Sequence, residues 1–254
     1  MTAPLPAYYT RLEPFHELFS TGAPVLTYHK IGPRPRGARL KGLYVSSTLF
    51  AQQLKELAEA GYRTQSLHEL GEHRKTSAPS IVLTFDDGFE NVLRHAVEPM
   101  SRHGFRAIEF LVADRLGQLN DWERNEGEVS ERLMDAAQIR DWLAAGHEIG
   151  AHSLTHPFLT QIRLAQAREE IGASKKMLED LFGVPVNHFC YPYGDCNEAI
   201  CNAVREAGYT TACTTEFGVN TAETSPWQVQ RVTARYSSRS LRALRARLKR
   251  RMSL

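Results

Sequence analysis

No apolar run in this chain approaches the roughly 20 residues that span a bilayer, so no transmembrane helix is expected. The first residues lack a basic stretch followed by an apolar one. They hold Pro4, Pro6, Glu13 and Pro14 instead, which argues against a secretory leader. Cysteine is scarce. Cys190, Cys196, Cys201 and Cys213 form neither a C-x-x-C pair nor a zinc-ligand spacing, which points to free thiols in a reducing compartment. A large excess of one charge is also missing. The formal net charge of +2 removes any global argument for nucleic acid as a partner. No internal repeat and no inter-domain linker is visible, and cytoplasmic placement is the expectation.

The charge that is present is uneven. From Arg235 to Arg251 the chain holds Arg239, Arg242, Arg245, Arg247, Lys249 and Arg250 with no acid between them. Leu241, Leu244 and Leu248 fall at helical spacing within this basic tail. Residues 236–254 therefore read as a terminal helix, either solvated or in peripheral contact with an anionic inner membrane face.

The 254 residues, 42% hydrophobic and 24% charged, can bury a substantial core without disulfides. Strand-like segments fall at 25–28, 81–85, 107–112, 147–151, 186–190 and 210–215. Helix-like segments lie between them, at 48–60 with a cap from Ser47 or Thr48, at 89–103, at 135–145, at 160–182 and at 197–207. Repeated β-then-α units imply a parallel sheet with helices outside it. Every residue that suggests chemistry falls just after a strand, as in a barrel with its site at the C-terminal rim. An open doubly wound sheet is the structural alternative.

Ile81-Val82-Leu83-Thr84-Phe85-Asp86-Asp87-Gly88 is the most informative stretch. A buried strand explains its apolar part, but two adjacent carboxylates at its end repel and are costly to desolvate without a counter-charge. A turn capping a helix from Phe89 is one reading of the acids. A metal ion is the other, with His152 and His156 as co-ligands. Pro157 disfavours helix at His156, so a turn brings the two imidazoles together. Two imidazoles and a carboxylate suit zinc, cobalt, nickel or iron, with positions left for water and substrate. One acid then anchors the ion while its neighbour serves as general base, and the sequence leaves open which is which.

Thr84-Phe85-Asp86-Asp87-Gly88, His152-Ser153-x-x-His156 and Tyr191-Pro192-Tyr193-Gly194 together resemble the three ordered motifs of the polysaccharide deacetylase family, carbohydrate esterase family 4. The likeness includes Gly146-His147-Glu148-Ile149-Gly150 and spans about residues 25–231. It implies a single-domain α/β fold, a distorted (β/α) barrel of about seven parallel strands. The catalytic domain would cover residues 23–235 after an N-terminal extension, 1–22. It implies removal of N-acetyl groups from an N-acetylhexosamine glycan, polymeric or lipid-linked, releasing acetate. Asp86 would be the base and Asp87, His152 and His156 would bind one divalent ion, zinc first. The Tyr193 backbone N–H would face the oxyanion, and Tyr191 and Pro192 would line the substrate.

Two departures from that pattern matter. Cys190 stands where most members have an arginine bracing the base, and Arg231 is the expected substitute. The usual C-terminal Leu-x-His, source of the general acid, is absent. Leu26-Thr27-Tyr28-His29-Lys30-Ile31 resembles the Tyr-His-x-Ile segment of the subgroup acting on exported poly-N-acetylglucosamine, so His29 is the expected acid. Trp122, in a polar loop at 113–130, is a candidate for sugar stacking, and His147 reads as structural. Hydrolysis of a small cyclic imide and a silent glycan-binding module are the competing functions.

Overall fold

The computed structural model describes residues 5–71, 79–122, 124 and 128–235. The basic tail at 236–254, with its expected helix and membrane contact, lies outside them. Among the described residues the strands are β1 (Tyr8–Tyr9), β2 (Val25–Tyr28), β3 (Lys30–Ile31), β4 (Tyr44–Val45), β5 (Arg63–Thr64), β6 (Ser80–Asp87), β7 (Ile108–Leu111), β8 (Glu148–Ala151), β9 (His188–Cys190), β10 (Thr211–Cys213) and β11 (Val232–Ala234). The α-helices are α1 (His16–Ser20), α2 (Ser47–Glu59), α3 (Leu67–Gly71), α4 (Glu90–Arg102), α5 (Ala136–Ala144), α6 (Leu164–Phe182) and α7 (Glu198–Glu206).

The main sheet runs β1-β11-β2-β6-β7-β8-β9-β10, with β5 on the early part of β6, and its ladders are parallel. Val229 bridges Cys213 of β10 in parallel, and the same segment continues into β11, which pairs with β2. The sheet thus curls into a distorted barrel whose seven staves are β2, β6, β7, β8, β9, β10 and β11. It is a single α/β domain.

Strand alternation sorts the side chains into two layers. Val25, Val82, Ile108, Phe110, Cys190, Cys213 and Val229 cluster inside the curl. Leu26, Tyr28, Leu83, Phe85, Leu111 and Phe189 face the helices, packed with Phe50, Trp142 and Ile171. Gly150 of β8 is small for a steric reason: a Cβ there would lie 2.5 Å from the Phe110 ring. Residues 8–20, read as part of an extension, pack on the barrel through β1 and through the core residues Tyr9, Phe15 and Phe19.

Two helix starts differ from expectation. Ser46, rather than Ser47 or Thr48, caps α2 by accepting from the Leu49 N–H at 3.2 Å. The long helix begins at Leu164 and not at 160, because the Thr160 N–H and hydroxyl donate to Asp195 instead. Asp135 and Asn197, the first residues of their helix-like segments, cap α5 and α7.

Candidate active site

At the C-terminal end of β6 the two acids part company. Asp86 points into the barrel mouth, where Arg231 grips it in bidentate fashion: Nη1 donates to Oδ1 at 2.8 Å and Nη2 to Oδ2 at 2.9 Å. The guanidinium is itself fixed. Its Nε donates to the Thr214 carbonyl at 2.8 Å, Nη1 to Thr84 Oγ1 at 3.1 Å and Nη2 to Cys190 Sγ at 3.1 Å. Both side chains are buried, at 2% exposure each. Burial disfavours the charged Asp86, but Arg231 outweighs it and holds the carboxyl below its ordinary range. His29, between β2 and β3, brings Nε2 to 3.8 Å from Asp86 Oδ2 and remains one-fifth exposed. Burial lowers its pKa despite Asp86 and Asp87 nearby.

Asp87 faces the other way. Its Oδ1 lies 3.4 Å from His152 Nε2 and 3.3 Å from His156 Nε2, all three side chains being buried. Burial opposes its ionisation, but the bonds to His152 and His156 hold its carboxyl well below the usual range. Ligands of one tetrahedral ion with bonds of about 2.0–2.2 Å stand roughly 3.3–3.6 Å apart, so these separations match a metal set. The bond on one of the two imidazoles agrees. His152 Nδ1 meets the Cys190 carbonyl at 2.7 Å, which selects the tautomer that leaves Nε2 free to ligate. Asp86, His152 and Cys190 form a second cluster of potential ligands. It is the poorer one, since both Asp86 oxygens serve Arg231 and burial first of all pushes the Cys190 thiol up to about 11. The donor chemistry therefore fits a divalent ion on Asp87, His152 and His156.

The loops that carry these residues are held tightly. Asp87, Ser153, His156 and Tyr193 have φ of 80°, 61°, 69° and 59°, and they are the non-glycine residues with positive φ among those described. All four belong to the site, where such strain collects when its surroundings enforce it. Glu170 of α6 enforces part of it, accepting from the Leu154 and Thr155 N–H groups and the Thr155 hydroxyl at 2.9, 2.8 and 2.6 Å. Asp195, through Thr160, ties the following turn to the Tyr191–Gly194 loop.

The structure sorts the remaining sequence candidates. Trp122 stacks on His156, ring centroids 4.5 Å apart at 24°, so one indole face is spent on a candidate ligand. Tyr191 and Pro192 are buried, the Tyr191 phenol donating to the Trp227 carbonyl at 3.0 Å, and neither side chain lines an open surface as expected. The exposed member of that turn is Tyr193, its ring centroid 4.6 Å from that of His156 with the planes at 70°. His147 is structural: it accepts the Ala107 N–H at 3.3 Å, and burial lowers its pKa to about 4.

One residue near the site escaped sequence reasoning. Glu109 of β7 points into the helix-facing layer, fully buried, and accepts the Gly88 N–H at 2.9 Å. Its Oε2 has no hydrogen-bond partner among the described residues. Burial, helped by Asp86 and Asp87, raises its pKa well above the carboxylate range, which favours the uncharged form beneath the turn that carries both acids. The visible signal was an acid in the middle of the apolar run 107–112.

A family model described as "Polysaccharide deacetylase" matches residues 73–212. YxkH of Bacillus subtilis (strain 168), named for the same family, is 25% identical over 213 residues, 82% of this chain and 70% of that protein. Chitin deacetylase 1 of Cryptococcus neoformans is 31% identical over 156 residues, 60% of this chain but only 30% of that longer protein. Among solved structures, BC0361, a polysaccharide deacetylase from Bacillus cereus, superposes with a TM-score of 0.73 at 25% identity, covering 89% of this chain and 68% of that one.

Proposed function

This chain belongs to the polysaccharide deacetylase family, and we propose that within it the chain is a metal-dependent hydrolase that removes N-acetyl groups from an N-acetylhexosamine glycan. The family supports glycan N-deacetylation. The observation that carries the finer reading is the division of the diacid: Asp87 faces two imidazoles, while Asp86 faces a guanidinium and His29.

In this reading Asp87, His152 and His156 hold one divalent ion, with zinc as our choice for this nitrogen-rich set. When bound, such an ion lowers the pKa of a water and polarises the acetyl carbonyl. Asp86 takes the proton of the attacking water. Arg231 keeps that carboxylate ionised and aligned, and so supports the base without touching substrate. The backbone N–H of Tyr193 donates to the oxygen that gains charge as the acetamide carbon becomes tetrahedral. His29 gives a proton to the departing amine, and the products are a free amino sugar and acetate.

Acetate release from chito-oligosaccharides tests the reading. The protein as purified should release acetate, lose this on chelation, and regain it when zinc or cobalt is returned. Turnover of a cyclic imide without acetate from any oligosaccharide would transfer the site to the other C–N hydrolysis, and no turnover of either would leave a binding module.

A further inference from the structure

Next to the expected acid sits a charge that the mechanism does not use. Lys30, directly after His29, has 0% of its surface exposed. A buried ammonium is costly unless partners replace its water, and an aliphatic side chain would fill the same space without that cost. Here the partners come from three separate parts of the chain. Nζ lies 3.7 Å from Glu131 Oε1, donates to the Tyr44 hydroxyl at 3.4 Å and stands 4.4 Å from the centroid of the Phe89 ring. The Tyr44 hydroxyl donates in turn to Glu131 Oε1, and Asn91 Nδ2 donates to Glu131 Oε2 at 3.0 Å.

Each partner belongs to a segment that shapes the reaction centre. Phe89 and Asn91 follow the Asp86-Asp87-Gly88 turn. Glu131 lies in the segment whose Arg132 carbonyl accepts the Glu90 N–H and whose Met134 N–H donates to the Gly88 carbonyl. Tyr44 pairs with Lys30 itself across β3 and β4. The backbone just beyond His29 is pinned to the same group. The Ile31 N–H donates to Asn91 Oδ1 at 3.1 Å, and the Gly32 N–H to the Val45 carbonyl at 2.8 Å.

His29 gets its direction from this arrangement. It is the single residue between β2, in the main sheet, and β3, which pairs with β4. In extended backbone neighbouring side chains point to opposite sides. A Lys30 fixed on one side therefore turns the His29 imidazole to the other, where Nε2 stands 3.8 Å from Asp86 Oδ2.

We propose that Lys30 is a positioning residue for His29: the ammonium, held by Glu131, Tyr44 and the Phe89 ring, locks the segment of the acid to the turn that carries the base. This rests on the deacetylase reading with His29 as its acid, and adds what aims that acid.

The test is Lys30→Met, which keeps the length of the side chain and removes its charge. In acetate release from chito-oligosaccharides it should lower kcat by about 10- to 100-fold, the effect of a displaced proton donor, with KM within about twofold of wild type. Zinc affinity by competition titration should stay near wild type. A cycle with His29→Ala separates aiming from general support. In that background Lys30→Met should lower kcat by less than about twofold, because the group it aims is gone. The pair Lys30→Met/Glu131→Gln leaves no carboxylate without its cation; it should be as slow as Lys30→Met, and it takes the place of Lys30→Met in the cycle if the single variant misfolds. A kcat near wild type in Lys30→Met or in the pair, an equal loss with and without His29, or a weakened zinc site overturns the positioning role and leaves the deacetylase reading standing. Absence of acetate with the wild type overturns both.

Discussion

Replacing Arg231 with methionine tests the electrostatic core of the mechanism. The guanidinium makes two short bonds to Asp86 and three more to Thr84, Thr214 and Cys190, in a site with almost no exposure. Methionine fills much of the volume and supplies none of the charge. Removing one partner of a buried ion pair costs about 3–5 kcal/mol, because the other charge stays behind without compensation. Asp86 can escape part of this cost by taking up a proton, at about 1.4 kcal/mol per unit of pKa shift. The signs follow. In the wild type Asp86 has a depressed folded pKa, so its contribution to stability is present above the unfolded value and lost as pH falls through the folded one. In Arg231→Met burial is unopposed and the folded pKa rises. The stability deficit should therefore be largest near neutrality and shrink toward the unfolded carboxylate pKa. The acidic limb of kcat/KM should move to higher pH as the base is lost to protonation. Urea unfolding at pH 7 and pH 4, with a pH–rate profile of acetate release, measures both, and Arg231→Lys should recover part of the charge effect but not the bidentate alignment. An unmoved acidic limb with a stability loss under about 1 kcal/mol would refute Arg231 as the brace of Asp86.

Three further outcomes are expected. Asp87→Asn should abolish the thermal stabilisation that added zinc gives the wild type, which for a site at 100 times its Kd amounts to about 2.7 kcal/mol and is read by calorimetry with and without chelator. His29→Ala should lower kcat by roughly 10²–10⁴-fold and remove the alkaline limb of the pH profile, while zinc affinity by competition titration stays near wild type; retention of most of kcat would sink the assignment. Glu109→Gln keeps an acceptor for the Gly88 N–H but cannot ionise. Since the Glu109 folded pKa is raised, its stability contribution is full below the unfolded value and falls as pH rises, so the glutamine variant should gain on the wild type by up to about 1.4 kcal/mol per pH unit above that value, measured as Tm from pH 5 to pH 8.

Those residues differ in how far the sequence announced them. Six of the seven staves, β2 and β6 to β10, were legible as short apolar segments alternating with helices, whereas the closing strand β11 and the number seven came with the family resemblance. The two-residue strands β3, β4 and β5 were not legible, since nothing in Lys30–Ile31 or Arg63–Thr64 carries a period. The start of α6 was misplaced for a related reason. Thr160 and Gln161 carry no helix breaker, and only the fold shows that Asp195, far along the chain, accepts from the Thr160 N–H and hydroxyl. Tyr191 and Pro192 were named with Tyr193 as one motif, but only the three-dimensional turn tells which of them faces water. Glu109 was visible as an anomaly and passed over, because an acid in a strand gains meaning only when its register sets it beside Gly88.

The adjacency of Asp86 and Asp87 is itself a geometric device. In a strand, neighbouring side chains point to opposite faces, so two consecutive acids are delivered to two different environments without any insertion between them. Asp86 keeps the inward direction and meets Arg231. Asp87 has to turn, and its φ of 80° is the turn, a conformation that costs a non-glycine residue about 1–3 kcal/mol. The same strain recurs at Ser153 and His156, on the loop that brings the imidazoles to meet it, and at Tyr193 opposite. Glu170, Asp195 and Glu109 each spend a buried or half-buried carboxyl group on backbone N–H groups in or beside those turns. A fold selected for stability alone would relax these positions to glycine and make Glu109 apolar. That it does neither places the cost of the site in its backbone, where the loops are held in the one shape that sets a base beside a metal set.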